Sequence, residues 1–211
     1  MDLALVEAAA RFNHSWRRHC LGALSFVLLV VGTALLLDPR VPAWAAQWKC
    51  PTLDTLVGIL NPIGSGVTLL VVCIMLGAMC HALPSSRLQA AAWLGALAFA
   101  SAGLIEFTIK HLVGRPRPDT AVVFAALGPH VTAETDSFPS GHATSVFAVA
   151  TVFAAFYPRL RWPLYVLAAA VAVGRVYLER HYVSDIVAGA AIGIVIASIL
   201  LRHRQAVQTA P

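Results

Sequence analysis

Six stretches of this chain, at about 20–37, 65–83, 88–109, 140–157, 162–176 and 185–201, are apolar almost throughout, and each approaches the roughly 20 residues a helix needs to cross a bilayer. No soluble core could absorb them, since 59% of the 211 residues are hydrophobic, only 12% are charged, and the mean hydropathy is +0.76. The expected fold is therefore all-α, an integral membrane bundle of six transmembrane helices. Several stretches are a little short, which tilt or local thinning accommodates, and the alanine and glycine content of the last three favours close helix contact. No repeat, low-complexity segment or linker divides the chain, so residues 1–211 are expected to form one domain.

The charges orient the bundle. If six spans alternate, Arg11, Arg17, Arg18, Arg87, Arg159, Arg161, Arg202 and Arg204 fall on one side, predicting that both termini are cytoplasmic. The opposite side holds Arg40, Lys49, Lys110, Arg115, Arg117, Arg175 and Arg180, five of them around just two loops. A net charge of +5 would suggest nucleic acid in a soluble protein, but here the cations flank apolar runs, so no nucleic-acid partner is expected. Trp16, Trp44, Trp48 and Trp162 sit near predicted span ends, as interfacial tryptophans do, whereas Trp93 falls inside a span.

Residues 1–19 are weakly amphipathic and are expected to lie along the membrane surface. The first apolar run follows Arg17 and Arg18 and lacks a small-residue cleavage site, so it reads as a retained anchor. Leu53, Leu56, Val57 and Leu60 recur at helical spacing before Asn61-Pro62-Ile63-Gly64-Ser65-Gly66, predicting a short interfacial helix and a turn that could cover a site on that face. Cys20, Cys50, Cys73 and Cys80 show no metal or disulfide spacing and read as small hydrophobes.

Three clusters carry chemistry. In the run 110–118, Gly114, Pro116 and Pro118 must end the third helix soon after Lys110, letting Lys110 and Arg117 converge from helix end and loop. Pro139-Ser140-Gly141-His142 opens the fourth helix, where backbone N–H groups, the Ser140 hydroxyl and the helix dipole face an anion. Arg175 ends the fifth helix, and His181 and Asp185, spaced i, i+4, share a face so that Asp185 can hold the His181 ring by its Nδ1–H. All three clusters emerge on the same non-cytoplasmic face. Together they offer cations and N–H donors for a phosphoryl group, one histidine set for attack and another for proton donation. Glu106, one turn before Lys110, is expected to pair with it from behind the site. Arg115 and Arg180 read as headgroup ligands or solvated loop charges, and Glu134 and Asp136 as loop residues. The remaining histidines, His14, His19, His81, His111, His130 and His203, read as structural.

With KxxxxxxRP over 110–118, PSGH over 139–142 and RxxxxxHxxxD over 175–185, the chain closely resembles the type-2 phosphatidic acid phosphatases, the superfamily that includes the vanadium haloperoxidases. The motif region spans about 106–189. The resemblance implies that His181 is the nucleophile forming a phosphohistidine, that Asp185 orients it and that His142 protonates the leaving group. It also implies that Lys110, Arg117, Ser140, Gly141 and Arg175 bind the phosphoryl oxygens of a membrane lipid phosphate or pyrophosphate. The family usually has a serine before the third-motif arginine, and Gly174 stands there in this chain, so one supporting hydroxyl is missing.

No HExxH, paired aspartates or clustered carboxylates occur, so neither metal nor other cofactor is expected. The candidate substrates are undecaprenyl pyrophosphate, favoured here, and phosphatidylglycerol phosphate, phosphatidate and lipid A phosphates, in a bacterial inner membrane with the site facing the periplasm or exterior. Two other readings use the same residues: phosphoryl transfer to a second lipid, and binding or transport of an anionic lipid without turnover. The latter has no use for a His181–Asp185 pair.

Overall fold

The computed structural model describes residues 22, 25, 26, 28–34, 36–82, 86–119, 128, 129 and 135–209, and every regular element among them is helical. The interfacial segment expected at 1–19, part of the first apolar stretch, His130 and Glu134 lie outside the described residues. The helices are α1 (Val41–Trp48), α2 (Pro51–Ile63), α3 (Gly66–Ala82), α4 (Ser86–Val113), α5 (Gly141–Phe156), α6 (Arg161–Tyr177) and α7 (Val183–Thr209), with 3-10 turns at Asp38–Arg40 and Pro158–Leu160.

By length and composition, Leu28–Trp48, Arg87–Val113 and Val183–Gln208 can each cross a membrane, and α2 with α3, bent by 51°, adds a fourth if the pair forms one broken span. Helices α5 and α6 have 16 and 17 residues. At 1.5 Å per residue they reach about 24–26 Å, short of a hydrocarbon core of about 30 Å. Helix α4 outlasts the apolar stretch that predicted it because nothing stops it before Gly114, which takes a left-handed φ of 59° and donates its N–H to the Lys110 carbonyl at 2.9 Å.

Helix α5 is the hub. It packs on α4, α6 and, most extensively, α7, burying small residues such as Ala143, Ala148 and Ala154. Ala98 and Ala102 of α4, Ala148 and Val152 of α5 and Ala197 of α7 form one core cluster. Val146 and Ala150 of α5 with Ala168 and Val171 of α6 form a second. Large apolar side chains such as Leu104, Phe107, Trp162, Val166, Val195 and Ile199 point outward instead, the inversion expected where lipid is the solvent.

Glycine sets how closely the hub helices meet. A Cβ on Gly193 would lie 2.4 Å from the Thr144 carbonyl oxygen, and one on Gly189 would lie 2.6 Å from the Ser140 carbonyl oxygen. The Gly189–Gly193 spacing is the small-xxx-small pattern that lets helix backbones touch. At the α2–α3 bend, a Cβ on Gly64 would lie 2.1 Å from Val171 Cγ1, so glycine is needed there for α2 to lie against α6.

Gly193→Ala is therefore expected to destabilise the protein by about 1–3 kcal/mol through overpacking. Gly103→Ala, whose new Cβ meets nothing within 4 Å, is expected to stay within about 0.5 kcal/mol of the parent. Thermal unfolding in detergent, followed by tryptophan fluorescence, reads both; equal melting temperatures for the two variants would contradict the packing argument.

Candidate active site

The C-terminal ends of α4 and α6 and the N-terminal ends of α5 and α7 meet at one end of the bundle, tied by backbone hydrogen bonds between the segments. Ser137 N–H donates to the Arg115 carbonyl at 3.0 Å, Ser140 N–H to the Asp185 carbonyl at 3.1 Å, and His181 N–H to the Arg175 carbonyl at 3.3 Å. These bonds bring the three sequence clusters together, and each predicted site residue falls in or beside the resulting pocket.

His181 is 2% exposed. Its Nδ1 lies 2.7 Å from the Ser137 carbonyl oxygen. A carbonyl only accepts, so Nδ1 carries the proton and the lone pair of the neutral ring is left on Nε2. The sequence leads to the expectation that Asp185 holds the ring by its Nδ1–H; the Ser137 carbonyl accepts that bond instead, and Asp185 Oδ2 stands 3.6 Å from Nδ1 as a nearby charge. Burial pushes the His181 pKa below its ordinary value, only partly offset by Asp185, while Arg175 and Lys110 push it further down. The neutral ring is thus the resting form at neutral pH.

Asp185 is fully buried. Its Oδ2 accepts from Ser137 Oγ at 2.6 Å and from the Tyr182 N–H at 2.8 Å, and its Oδ1 accepts from Arg115 Nη1 at 2.6 Å. Arg115 is the principal residue the sequence reading missed. Its neighbour Arg117 carries the motif signal, and nothing local marks Arg115 as a partner for a residue 70 positions away.

The cations are held in place by acceptors. Lys110 Nζ lies 2.7 Å from Glu106 Oε1, in the i, i+4 relation, and 3.7 Å from Asp136 Oδ2. Arg117 places Nε and Nη2 each 2.7 Å from Asp136 Oδ1, so Asp136, read from sequence as a loop residue, lies within the cation cluster. Arg175 Nη1 donates to Asn61 Oδ1 at 2.5 Å, which brings the α2–α3 turn into the site. Arg180, by contrast, pairs with Asp119 at 2.8 Å on the exposed side. His111 bonds back to the Phe107 carbonyl at 2.7 Å, a local structural contact.

Several buried polar atoms in this pocket lack a hydrogen-bond partner among the described residues: Ser140 Oγ, His142 Nε2 and Arg175 Nε. Ser140 precedes the first turn of α5 but makes no side-chain cap, so its hydroxyl is not used by the helix. His142 shares the pocket electrostatically with Arg175, His181 and Lys110. A Cβ on Gly141 would lie 3.1 Å from Glu106 Oε1, so that glycine lets α5 approach the Glu106–Lys110 pair. Orphaned buried polar atoms cost free energy unless a ligand satisfies them. Converging cations, a helix N-terminus and an imidazole lone pair suit a tetrahedral oxyanion. Among the described residues, no three His, Cys, Asp or Glu side chains cluster as metal ligands.

The PAP2 superfamily profile matches residues 91–208. A lipid A 1-phosphatase of Rhizobium johnstonii is 32% identical over 209 residues, covering 87% of this chain and 84% of that protein. The crystal structure of the PAP2-type phosphatidylglycerolphosphate phosphatase from Bacillus subtilis superposes with a TM-score of 0.67 at 21% identity, over 89% of this chain and 98% of that one. Aquifex aeolicus LpxE superposes with a TM-score of 0.62 at 22% identity, over 78% and 94% of the two chains.

Asp136 pairs with Arg117, so an oxyanion drawn to Arg117 would compete with it. Asp136→Asn is expected to tighten vanadate binding about two- to fivefold, the worth of a partly exposed ion pair. Titration calorimetry in detergent measures this, and weaker binding by the variant would show that Asp136 positions Arg117 and does not compete with the anion.

Proposed function

This chain belongs to the PAP2 superfamily and is a membrane lipid phosphatase, and we propose that it hydrolyses its substrate through a phosphohistidine on His181, with no metal ion. The observation that carries this reading is that Ser140 Oγ, His142 Nε2 and Arg175 Nε are buried without a partner among the described residues, in the same motif clusters as an imidazole whose Nδ1 is tied to a carbonyl. His181 Nε2 attacks phosphorus in line, and the leaving lipid oxygen takes a proton from His142. Water, deprotonated by His142, then attacks the phosphohistidine and releases phosphate. Lys110, Arg117, Ser140, Gly141 and Arg175 bind the phosphoryl oxygens, Glu106 holds Lys110, and Asp185 stabilises the ring as it gains positive charge.

The proposed topology has one domain and six spans, with the short α5 and α6 crossing beside longer neighbours, both termini cytoplasmic and the site facing the periplasm or exterior. The distribution of arginines supports it. Lipid A phosphate is the foremost candidate substrate, because the relative named for that activity aligns along most of both chains. Undecaprenyl pyrophosphate, phosphatidylglycerol phosphate and phosphatidate follow.

An apolar groove of about 250 Å³, lined by Trp44, Trp48, Leu56, Val57, Val173 and Gly174 among others, supports a lipid over a soluble phosphate. It reaches Leu60 and Gly174, whose chain neighbours Asn61 and Arg175 hydrogen-bond in the site. Gly174, standing where the family usually has serine, leaves room for Val57, since a Cβ there would lie 3.3 Å from Val57 Cγ1, closer than ordinary contact.

Phosphate release in EDTA from the four lipid classes should persist for the parent protein and fall roughly a thousandfold or more for His181→Asn. Equal release by the variant would refute the histidine nucleophile. No release from any lipid would favour binding or transport, and phosphate appearing on a second lipid would favour transfer. Leu56→Trp should raise KM for long-chain lipid phosphates roughly tenfold relative to dihexanoyl phosphatidate; equal changes in KM for both would remove the groove from substrate binding.

A further inference from the structure

Asp38 lies outside all three motifs, in the turn before α1, yet it is only 3% exposed. Its Oδ1 accepts the Ser184 N–H at 3.1 Å, in the first turn of α7, and its Oδ2 accepts the Ser184 hydroxyl at 2.5 Å. The same Oδ2 takes Arg115 Nη2 at 2.8 Å, while Arg115 Nη1 reaches Ser184 Oγ and Asp185 Oδ1, each at 2.6 Å. The guanidinium also stacks over the Tyr182 ring, 4.0 Å from its centroid. Asp38 thus acts as a helix cap supplied from 146 residues away and as the second carboxylate on the arginine that grips Asp185.

We propose that Asp38 is a positioning residue for the phosphatase reaction, holding Arg115 and Ser184 so that Asp185 stays aligned and negatively charged behind His181. This inference rests on His181 being the nucleophile. Two carboxylates share one guanidinium, so the buried cluster keeps one net negative charge. Without Asp38, Arg115 would neutralise Asp185 alone, and the cluster would have no charge left to stabilise the positive ring of a phosphohistidine. Burial works against the Arg115 charge, but Asp185 and Asp38 more than offset it, and the Arg115 pKa stands above its ordinary value. Arg115 therefore remains a cation throughout the working pH range.

The groups facing His181 are Asp185 from α7, Arg175 from α6, Lys110 from α4 and His142 from α5. Those facing Arg115 are Asp185, Asp38 and the Tyr182 ring. Of these, Asp38 and Arg115 can be altered without touching the phosphate pocket, and their removal has opposite signs. Losing the Asp38 charge destabilises the imidazolium, so His181 stays neutral to lower pH. Losing the Arg115 charge does the reverse.

The test is the acid limb of the kcat/KM profile on one short-chain lipid phosphate, for the parent, Asp38→Asn, Arg115→Gln and the double variant. The limb should move down by about half a pH unit or more in Asp38→Asn and up by a similar amount in Arg115→Gln. It should return to the parent value in the double variant, which again carries one net negative charge. The kcat of Asp38→Asn should fall at least tenfold with KM within twofold. The limb's position does not depend on how much of a preparation is active, so a poorly folding variant still reports, and if one single variant is inactive at every pH the other decides. Coincident limbs in all four proteins would overturn the proposal, leaving Asp38 a purely structural cap. An inactive parent would instead sink the phosphatase reading.

Discussion

The site depends on one buried carboxylate. Asp185 is fully enclosed, and a charge in that position is stable only if donors surround it. They come from Arg115 after α4, from the Ser137 hydroxyl in the loop before α5 and from the Tyr182 N–H at the start of α7, while its backbone carbonyl receives the Ser140 N–H at the head of α5. Satisfying this one residue therefore draws together segments from all three motifs. The same loop that feeds Asp185 also offers the Ser137 carbonyl to His181, so the demand of a buried charge and the tautomer of the His181 ring are met by one piece of chain.

Such a polar node can persist because the bundle beneath it is closely packed. Alanines fill the contacts among α4, α5 and α7, and Gly189 and Gly193 let α7 lie directly on the α5 backbone. In a bilayer the gain from burying apolar surface between helices is small, so van der Waals contact of this kind carries the association. The larger apolar side chains are left to face outward. Helix ends are then placed firmly enough to hold Ser140, His142 and Arg175, although Ser140 Oγ, His142 Nε2 and Arg175 Nε make no hydrogen bond among the described residues.

The cation cluster is held ready in the same manner. Glu106 pairs with Lys110, Asp136 with Arg117, and Asn61 with Arg175. These acceptors keep three flexible side chains in one region, the kind of preorganisation that lowers the ordering cost of binding an anion.

Much of this was legible in the residue order. Long apolar runs imply helices in lipid, Gly114 with Pro116 implies the end of α4, Ser140-Gly141 implies the start of α5, and the i, i+4 relations of Glu106 to Lys110 and His181 to Asp185 follow from helix geometry alone. These are local rules, each acting within a few residues. What only the tertiary structure decided are the contacts that span the chain: Asp38 with Ser184, Arg115 with Asp185, Asn61 with Arg175, and the Ser137 carbonyl with His181. The first three depend on how helices pack, which periodicity does not specify, and the last uses a backbone oxygen, a group every residue carries and no side-chain pattern can mark.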